Sequence, residues 1–512
     1  MRRALSYPYN RLTPGKLPMD VFNRREFINR SAIIAAAAAA SSTVTAEDKP
    51  APAVARAQAD KLRVAVVGVR GRGMSHVSGF LGKNNCEITT VCDCDEAVIG
   101  NAMKAIEKTQ GKAPKYEKDI RKVIENKDID IVSIATPNHW HALMAVWAME
   151  AGKDVYCEKP ATHNVREGAI MTAAARKFKR ICQVGTQSRS NPGMKDSIAY
   201  VKSGKIGKVD LAIGLCYKPR GSIGDVGLKM GEQKTPATMD YDLWCGPAPK
   251  TMPKRNTKSN GTVHYDWHWI WDFGNGDLGN QGVHEMDKAR WGLGKTTMPN
   301  SVFSVGGRFG YTDDGETANT QLCVFDYTDA KMIFEVRGLT TDTYKGAKVG
   351  NIWVGTEGYV VCPSYNAGVA YDKAGKEVAK FAGGSDQLHF DNFVKAVRSR
   401  KVEELNCDIA EGHLSAALCH LANISYRLGT EAVIAEAAGV YAQENVKEFS
   451  AGLVAHLKAN KVDVEKVKGR FGIPTAFDPK TERFPGLGPA SKKANDMLFR
   501  EYRKGFELKE IA

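Results

Sequence analysis

The sequence predicts an α/β protein of two domains, the first a doubly wound parallel sheet, and three observations carry that reading. An apolar, β-branched run at 62–67 leads into a glycine-rich turn and then a helical pattern. Strand-like runs at 87–92, 129–135, 154–157 and 181–185 follow, separated by amphipathic stretches such as 142–151. Further strand-like runs recur in a second region, at 209–216, 301–305, 321–326, 331–336 and 350–356. Strands that alternate with helices at this spacing form parallel sheets, which bind ligands beyond the carboxyl ends of their strands.

A chain of 512 residues exceeds one ordinary core, so a targeting segment plus two domains fits its length. Its composition, 43% apolar, 8% aromatic and 25% charged, is that of a globular protein and excludes extended disorder. The net charge of +14 is concentrated early: residues 1–46 hold seven Lys or Arg against two acids, a surplus of five that leaves +9 for the rest. There, basic and acidic residues alternate without a basic block interleaved with aromatics, so no nucleic-acid groove is predicted. Eleven cysteines, scattered through apolar runs, read as free, buried thiols. Cys92 and Cys94 are the closest pair, no C-x-x-C spacing occurs, and no metal site is expected.

Residues 23–31 read N-R-R-E-F-I-N-R-S and precede an Ala/Ile run over 32–40. Adjacent Arg24 and Arg25, with Phe27 beyond them, resemble the twin-arginine export consensus, and Val44-x-Ala46 supplies the small residues of a cleavage site. Residues 1–46 are therefore expected to be a signal peptide carrying a folded chain out of the cytoplasm to the periplasm, with translation starting at Met1 or Met19. Residues 47–60 read as a linker or arm, and no stretch reads as a stable membrane span.

Gly68, Gly71 and Gly73 lie in G-V-R-G-R-G-M-S-H, directly after the first strand. Backbone N–H groups of such a turn, with the helix N-terminus behind it, hold a pyrophosphate. Gly68 and Gly73 fit the first and third positions of G-x-G-x-x-G, whereas Arg70 stands at the second with Gly71 beside it. The second strand ends in Asp93, where a carboxylate accepts hydrogen bonds from the adenosine ribose and repels a 2′-phosphate. That favours NAD, while Arg70 and Arg72 leave NADP open; the competing reading of Asp93 is a helix cap. Three clusters fall at later strand ends: Thr136-Pro137-Asn138-His139-Trp140-His141, Glu158-Lys159-Pro160 and Gly185-Thr186-Gln187. Residues 61–187 thus read as a Rossmann dinucleotide-binding domain.

At these clusters the chain resembles the Gfo/Idh/MocA oxidoreductases, over roughly residues 61–429 and most specifically at E-K-P. The resemblance implies an NAD(P)-dependent enzyme that moves hydride to or from a sugar, cyclitol or polyol carbon. It implies that Lys159 lies between nicotinamide and substrate, where an ammonium stabilises a developing alkoxide or transfers a proton. Gly68, Arg70, Gly71, Arg72, Gly73, Asp93, Thr136, Pro137, Asn138, His141, Glu158 and Lys159 become the expected cofactor contacts. In G-N-G-D-L-G-N-Q-G-V-H-E-M-D-K-A-R-W, over 274–291, His284 matches the histidine that serves the reacting carbon, and its ordinary pKa near 6.5 suits proton transfer near neutrality. Many members place an aspartate four residues earlier, but this chain has Asn280, one helical turn from His284. Asparagine binds a hydroxyl but is no general base, so the proton relay is expected to rest on His284 and Lys159.

For residues 188–429 the resemblance implies an α+β domain whose large, mostly antiparallel open sheet covers the sugar and joins subunits into a homo-oligomer. The polar-aromatic segments 217–222 and 264–271 offer ring faces beside hydrogen-bonding groups, as a sugar pocket does. Gln187, Arg189, Tyr217, Arg220, Trp267 and His284 are the candidate substrate contacts, although tryptophans so close together equally suit a core. Helices around 388–399 and 409–427 are expected to finish this domain, leaving 430–512 as an extension over it or toward a neighbouring subunit.

Three function classes follow: a net sugar or polyol oxidoreductase, a redox-neutral glycosidase or epimerase that oxidises its substrate transiently, and a non-catalytic ligand-binding relative. The first is the leading expectation.

Overall fold

The structure, a computed structural model, describes residues 60–224, 235–251, 262–441, 444–486 and 488–511. The expected signal peptide, and the linker up to residue 59, lie outside them.

Six strands form the first sheet: β1 (Leu62–Val67), β2 (Cys86–Cys92), β3 (Lys115–Glu117), β4 (Ile131–Ile134), β5 (Asp154–Cys157) and β6 (Cys182–Val184). Their order is β3-β2-β1-β4-β5-β6 and every pairing is parallel. The order reverses between β1 and β4, the place where such a sheet opens a crevice for a ligand. All four residues of β4 and of β5 are buried, because helices cover both faces.

The second sheet has eleven strands: β7 (Val209–Cys216), β8 (Ser301–Gly307), β9 (Thr320–Asp326), β10 (Lys331–Arg337), β11 (Val349–Gly355), β12 (Gly358–Cys362), β13 (Ala367–Asp372), β14 (Glu377–Ala382), β15 (Thr430–Val433), β16 (Lys468–Phe471) and β17 (Thr475–Ala476). The order is β14-β13-β12-β11-β7-β10-β9-β8-β16-β15, with β17 on β8. β7 and β10 run parallel and the other neighbours antiparallel, so the sheet is mixed and mostly antiparallel.

The helix Val283–Gly292, which carries His284, is clamped to this sheet. Asn351 Nδ2 donates to Glu285 O at 2.7 Å and Trp353 Nε1 to Ala289 O at 3.3 Å. A Cβ on Gly292 would lie 2.1 Å from the Trp353 indole nitrogen, so the helix and strand meet closely there.

Two segments depart from the expected domain plan. The helix Gln387–Ser399 packs on the first sheet rather than finishing the second: Phe390 stacks on Tyr156 with centroids 4.7 Å apart, and Phe80 meets both Phe390 and Phe393 edge-on. Beyond residue 429 the chain is no mere extension. β15 to β17 continue the second sheet, and Phe506 and Leu508 then enter the core under the first. All eleven cysteines are free thiols, ten of them buried. No helix among the described residues is long and apolar enough to cross a membrane.

Candidate active site

A cavity of about 450 Å³ runs from the turn after β1 to the start of the helix Val283–Gly292. Gly68 opens the turn at φ +80°, and a Cβ there would lie 2.7 Å from Ala135 O. A Cβ on Gly73 would lie 1.7 Å from Gly68 O, whereas one on Gly71 would meet nothing within 4 Å among the described residues. Two glycines therefore let the turn close on itself, and the third leaves its backbone bare toward the cavity. Gly73→Ala is expected to cost about 1–3 kcal/mol through forced backbone movement and to lower nucleotide content. Thermal melts check the stability cost against Gly71→Ala, where no atom of the described residues obstructs the methyl group, and a nucleotide assay checks the content.

Asp93, at the end of β2, lines the cavity. Its Oδ2 accepts from Val69 N at 3.0 Å and its Oδ1 from Asp95 N at 3.1 Å. The cap of the next short helix is Asp95, which accepts from Ala97 N, so Asp93 is not the capping residue. Burial pushes the Asp93 carboxyl up to about 6, against those two N–H donors. A ribose hydroxyl donates best to the ionised form, so nucleotide affinity is expected to approach its full value above about pH 7, to be about half of it near pH 6 and to fall by up to about tenfold at pH 5. NAD titrations across that window check it, and Asp93→Asn should flatten the profile; equal affinity at pH 5 and 8 in the parent chain would remove Asp93 from the ribose.

Arg72 stands in the turn between Gly71 and Gly73 and is committed to two carboxylates: Nε donates to Glu158 Oε1 and Nη1 to Asp386 Oδ2, each at 2.8 Å. Glu158 Oε1 also stands 3.2 Å from His76 Nε2 and 3.1 Å from Gln187 Nε2, while Oε2 accepts from Lys159 N at 3.1 Å. Burial opposes ionisation of Glu158, but Arg72 and His76 win and hold its carboxyl well below the usual range. Glu158 is thus a fixed anion that anchors the turn and the main chain of Lys159. Thr136, Pro137, Asn138 and His141 line the cavity from the other side. The His141 ring nitrogens lie 2.7 Å from Pro160 O and 2.8 Å from Thr136 O, so this histidine braces both walls.

Lys159 precedes a cis bond to Pro160, and its Nζ donates to the main-chain oxygen of Asn280 at 2.5 Å. Burial lowers its pKa. Asn280 lies in a π-helical turn, Leu278–Gly282, rather than in regular α-helix, a deformation that concentrates at functional sites. The expected one-turn α-helical relation between Asn280 and His284 is corrected accordingly, and it is the Asn280 carbonyl that meets Lys159. His284 opens onto the same cavity, its Nδ1 has no hydrogen-bond partner among the described residues, and burial followed by the Lys159 charge pushes its pKa well below 6.5.

The proposed substrate wall divides. Gln187 lines the cavity through its bond to Glu158, and Trp267 lines it with His268 stacked on its ring at 3.6 Å. Trp267 and Trp269 both pack in one apolar cluster with Trp244 and Phe273, and Trp269 does not line the cavity. Three candidates are corrected, since none lines the cavity. Arg189 is buried in a fork with Asp287, with Nε to Oδ2 and Nη2 to Oδ1 both 2.8 Å, and it also meets Glu411 at 2.9 Å. The Tyr217 hydroxyl donates to Glu335 beneath the Arg337 guanidinium. Arg220 pairs with Asp277 at 2.6 Å and lies over the Trp269 ring. In each case a buried or half-buried polar group found an internal partner distant in sequence.

Tyr365 and Asp386 line the cavity without having been read from the sequence, whereas Tyr265 and His264 fall in the polar-aromatic segment 264–271 marked there as pocket material. His264 Nε2 sits 2.9 Å from Asp95 Oδ2 and ties the aromatic segment to the end of β2. The H-Y-D-W-H-W run was the available signal for Tyr265 and His264; Tyr365 lies in a turn with none.

Residues 62–186 match the Gfo/Idh/MocA oxidoreductase family's NAD-binding Rossmann fold, and residues 222–448 match its C-terminal alpha/beta domain. Among curated proteins the chain is similar to a glycosyl hydrolase family 109 protein of Shewanella sp. (strain W3-18-1), 36% identical over 129 residues. It is also similar to an alpha-N-acetylgalactosaminidase of Shewanella oneidensis, 34% identical over 127 residues. Each match covers 24% of this chain and spans 28% of the relative. Among solved structures, the WlbA dehydrogenase from Bordetella pertussis, crystallised with NADH and UDP-GlcNAcA, aligns at 18% identity with a TM-score of 0.51. A levoglucosan dehydrogenase, crystallised with NADH and levoglucosan, aligns at 19% with a TM-score of 0.52. Both alignments cover 71% of this chain and 97% of the other, and at such identity they speak for the fold alone. The two family matches together span more than half of the sequence, and the glycine turn, Asp93 and E-K-P lie within the first: the chain belongs to the Gfo/Idh/MocA oxidoreductase family and carries its NAD-binding Rossmann domain.

Proposed function

We propose that this protein transfers hydride between a retained nicotinamide cofactor and a carbon of a sugar, cyclitol or polyol. One observation carries the reading: a single cavity has the glycine turn and Asp93 at one end and both Lys159 and His284 at the other. The turn, with no Cβ on its open face at Gly71, fits a pyrophosphate, and the Asp93 carboxylate fits a ribose. Bound there, the nicotinamide supplies the hydride acceptor or donor. Lys159, held on the Asn280 carbonyl, stabilises the oxygen of the reacting carbon as it becomes an alkoxide. His284, neutral through burial, accepts the hydroxyl proton. The wall of Trp267 and His268 offers ring faces to the C–H patches of a pyranose.

Export through the twin-arginine signal read over 1–46 would make retention of the nucleotide necessary, since a released cofactor is not easily replaced outside the cytoplasm. Denaturing freshly purified protein and assaying the supernatant for NAD(H) or NADP(H) tests retention, and a chain purified empty would overturn it. A panel of sugars, polyols and glycosides then reads the reaction as bleaching or appearance of reduced cofactor.

A second reading, a redox-neutral glycosidase that oxidises its substrate and returns the hydride, is favoured by the glycosyl hydrolase family 109 relatives. Its signature in the same panel is glycoside cleavage at constant cofactor redox state.

A further inference from the structure

The wall beside His284 holds a hydroxyl whose direction is set by its neighbours. Tyr365 lies in the Pro363-Ser364-Tyr365-Asn366 turn between β12 and β13, and Asn191 Nδ2 donates to its main-chain oxygen at 3.1 Å. Its ring lies 4.7 Å from the His284 imidazole, and the Lys288 ammonium lies 5.1 Å from the ring centre. The side chain lines the same cavity as Lys159.

Gln281 Nε2 donates to the Tyr365 hydroxyl oxygen at 2.7 Å and stands 3.3 and 3.4 Å from the two carboxyl oxygens of Glu285. Burial raises the Glu285 carboxyl, and the Lys288 ammonium, 3.5 Å away, opposes the rise. The amide presents its nitrogen to both partners, so its two hydrogens serve Glu285 and Tyr365, an orientation that the Lys288 ammonium beside the Glu285 carboxyl favours. The Tyr365 oxygen is thereby occupied as an acceptor, so its one hydrogen is left to point elsewhere, toward the cavity. Burial also pushes the phenol up from its ordinary range, which keeps that hydrogen in place.

We propose that Tyr365 contacts the substrate as a hydrogen-bond donor, its hydroxyl oriented by Gln281 toward an oxygen on or beside the carbon that Lys159 and His284 serve. This rests on the hydride-transfer reading. It supplies a third polar contact, beside Lys159 and His284, in a cavity that Asn280 lines without offering a carboxylate. The ligand class is a polyhydroxylated ring with an acceptor oxygen at or next to the reacting position.

Tyr365→Phe removes the hydroxyl and keeps the ring against His284. On a panel sugar that the parent chain turns over, kcat is expected to fall about a hundredfold, more than KM rises, with nucleotide content and melting midpoint at parental values. Gln281→Leu frees the hydroxyl to rotate and should give a smaller loss, while the double variant should do no worse than Tyr365→Phe alone. Tyr371→Phe, stacked on Tyr359 away from the cavity, is the control. Parental kcat in Tyr365→Phe, or losses that add independently in the double variant, would overturn the assignment. Sugar binding is read separately, by quenching of the retained cofactor's fluorescence. Binding without redox change in the parent chain would count against hydride transfer while still testing Tyr365, through the affinity lost in Tyr365→Phe; a parent chain that bound no panel sugar would overturn both.

Discussion

Lys159→Ala is expected to lose about a thousandfold in turnover while keeping its nucleotide. Proton-handling and charge-stabilising groups at a reacting oxygen typically contribute 10²- to 10⁴-fold, and the burial of Lys159 keeps its interactions strong. Among the described residues the Lys159 side chain hydrogen-bonds only the Asn280 carbonyl, and the main-chain bond to Glu158 survives the substitution, so the nucleotide turn should keep its shape. Single-turnover reduction of the bound cofactor, compared with nucleotide released on denaturation, separates the two effects. Full turnover in Lys159→Ala would remove the mechanism proposed above.

Arg189→Met is expected to lower stability by about 3–5 kcal/mol. The Arg189 and Asp287 side chains are 7% and 1% exposed, so removing the guanidinium strands a carboxylate where water cannot replace it. Arg290, 3.8 Å from Asp287, and the Ser415 hydroxyl, which donates to Asp287 at 2.6 Å, soften the loss without abolishing it. Urea unfolding, read beside KM, distinguishes this from the role expected from sequence: a substrate contact would raise KM and leave unfolding untouched.

Legibility followed the range of the interactions. The strands β1, β2, β4, β5 and β6, and the placing of Asp93 and Lys159 at strand ends, could be read because buried parallel strands announce themselves as apolar runs and the sites lie directly after them. β3 is three residues long, with one of them exposed, and leaves no such signature. His284 was reachable through the family motif; the π-helical turn before it was not, since its residues carry no distinctive pattern. Arg189, Tyr217 and Arg220 were misjudged because a polar residue's partner is decided by tertiary structure: Arg189 meets Asp287 98 residues away, and Tyr217 meets Glu335 118 residues away. The helix Gln387–Ser399 was recognisable as amphipathic, but an amphipathic stripe does not say which of two sheets it will cover.

The placement of Phe506 and Leu508 bears on how the protein is made. The ribosome releases these side chains long after β1 to β6, yet they complete the core under those strands, and the helix Gln387–Ser399 covers another part of the same sheet. The nucleotide half therefore completes its core only after the rest of the chain has been made. A nascent chain stalled before residue 500 would present uncovered apolar surface, and a severed 61–187 fragment would be a substrate for chaperones rather than a miniature nucleotide binder.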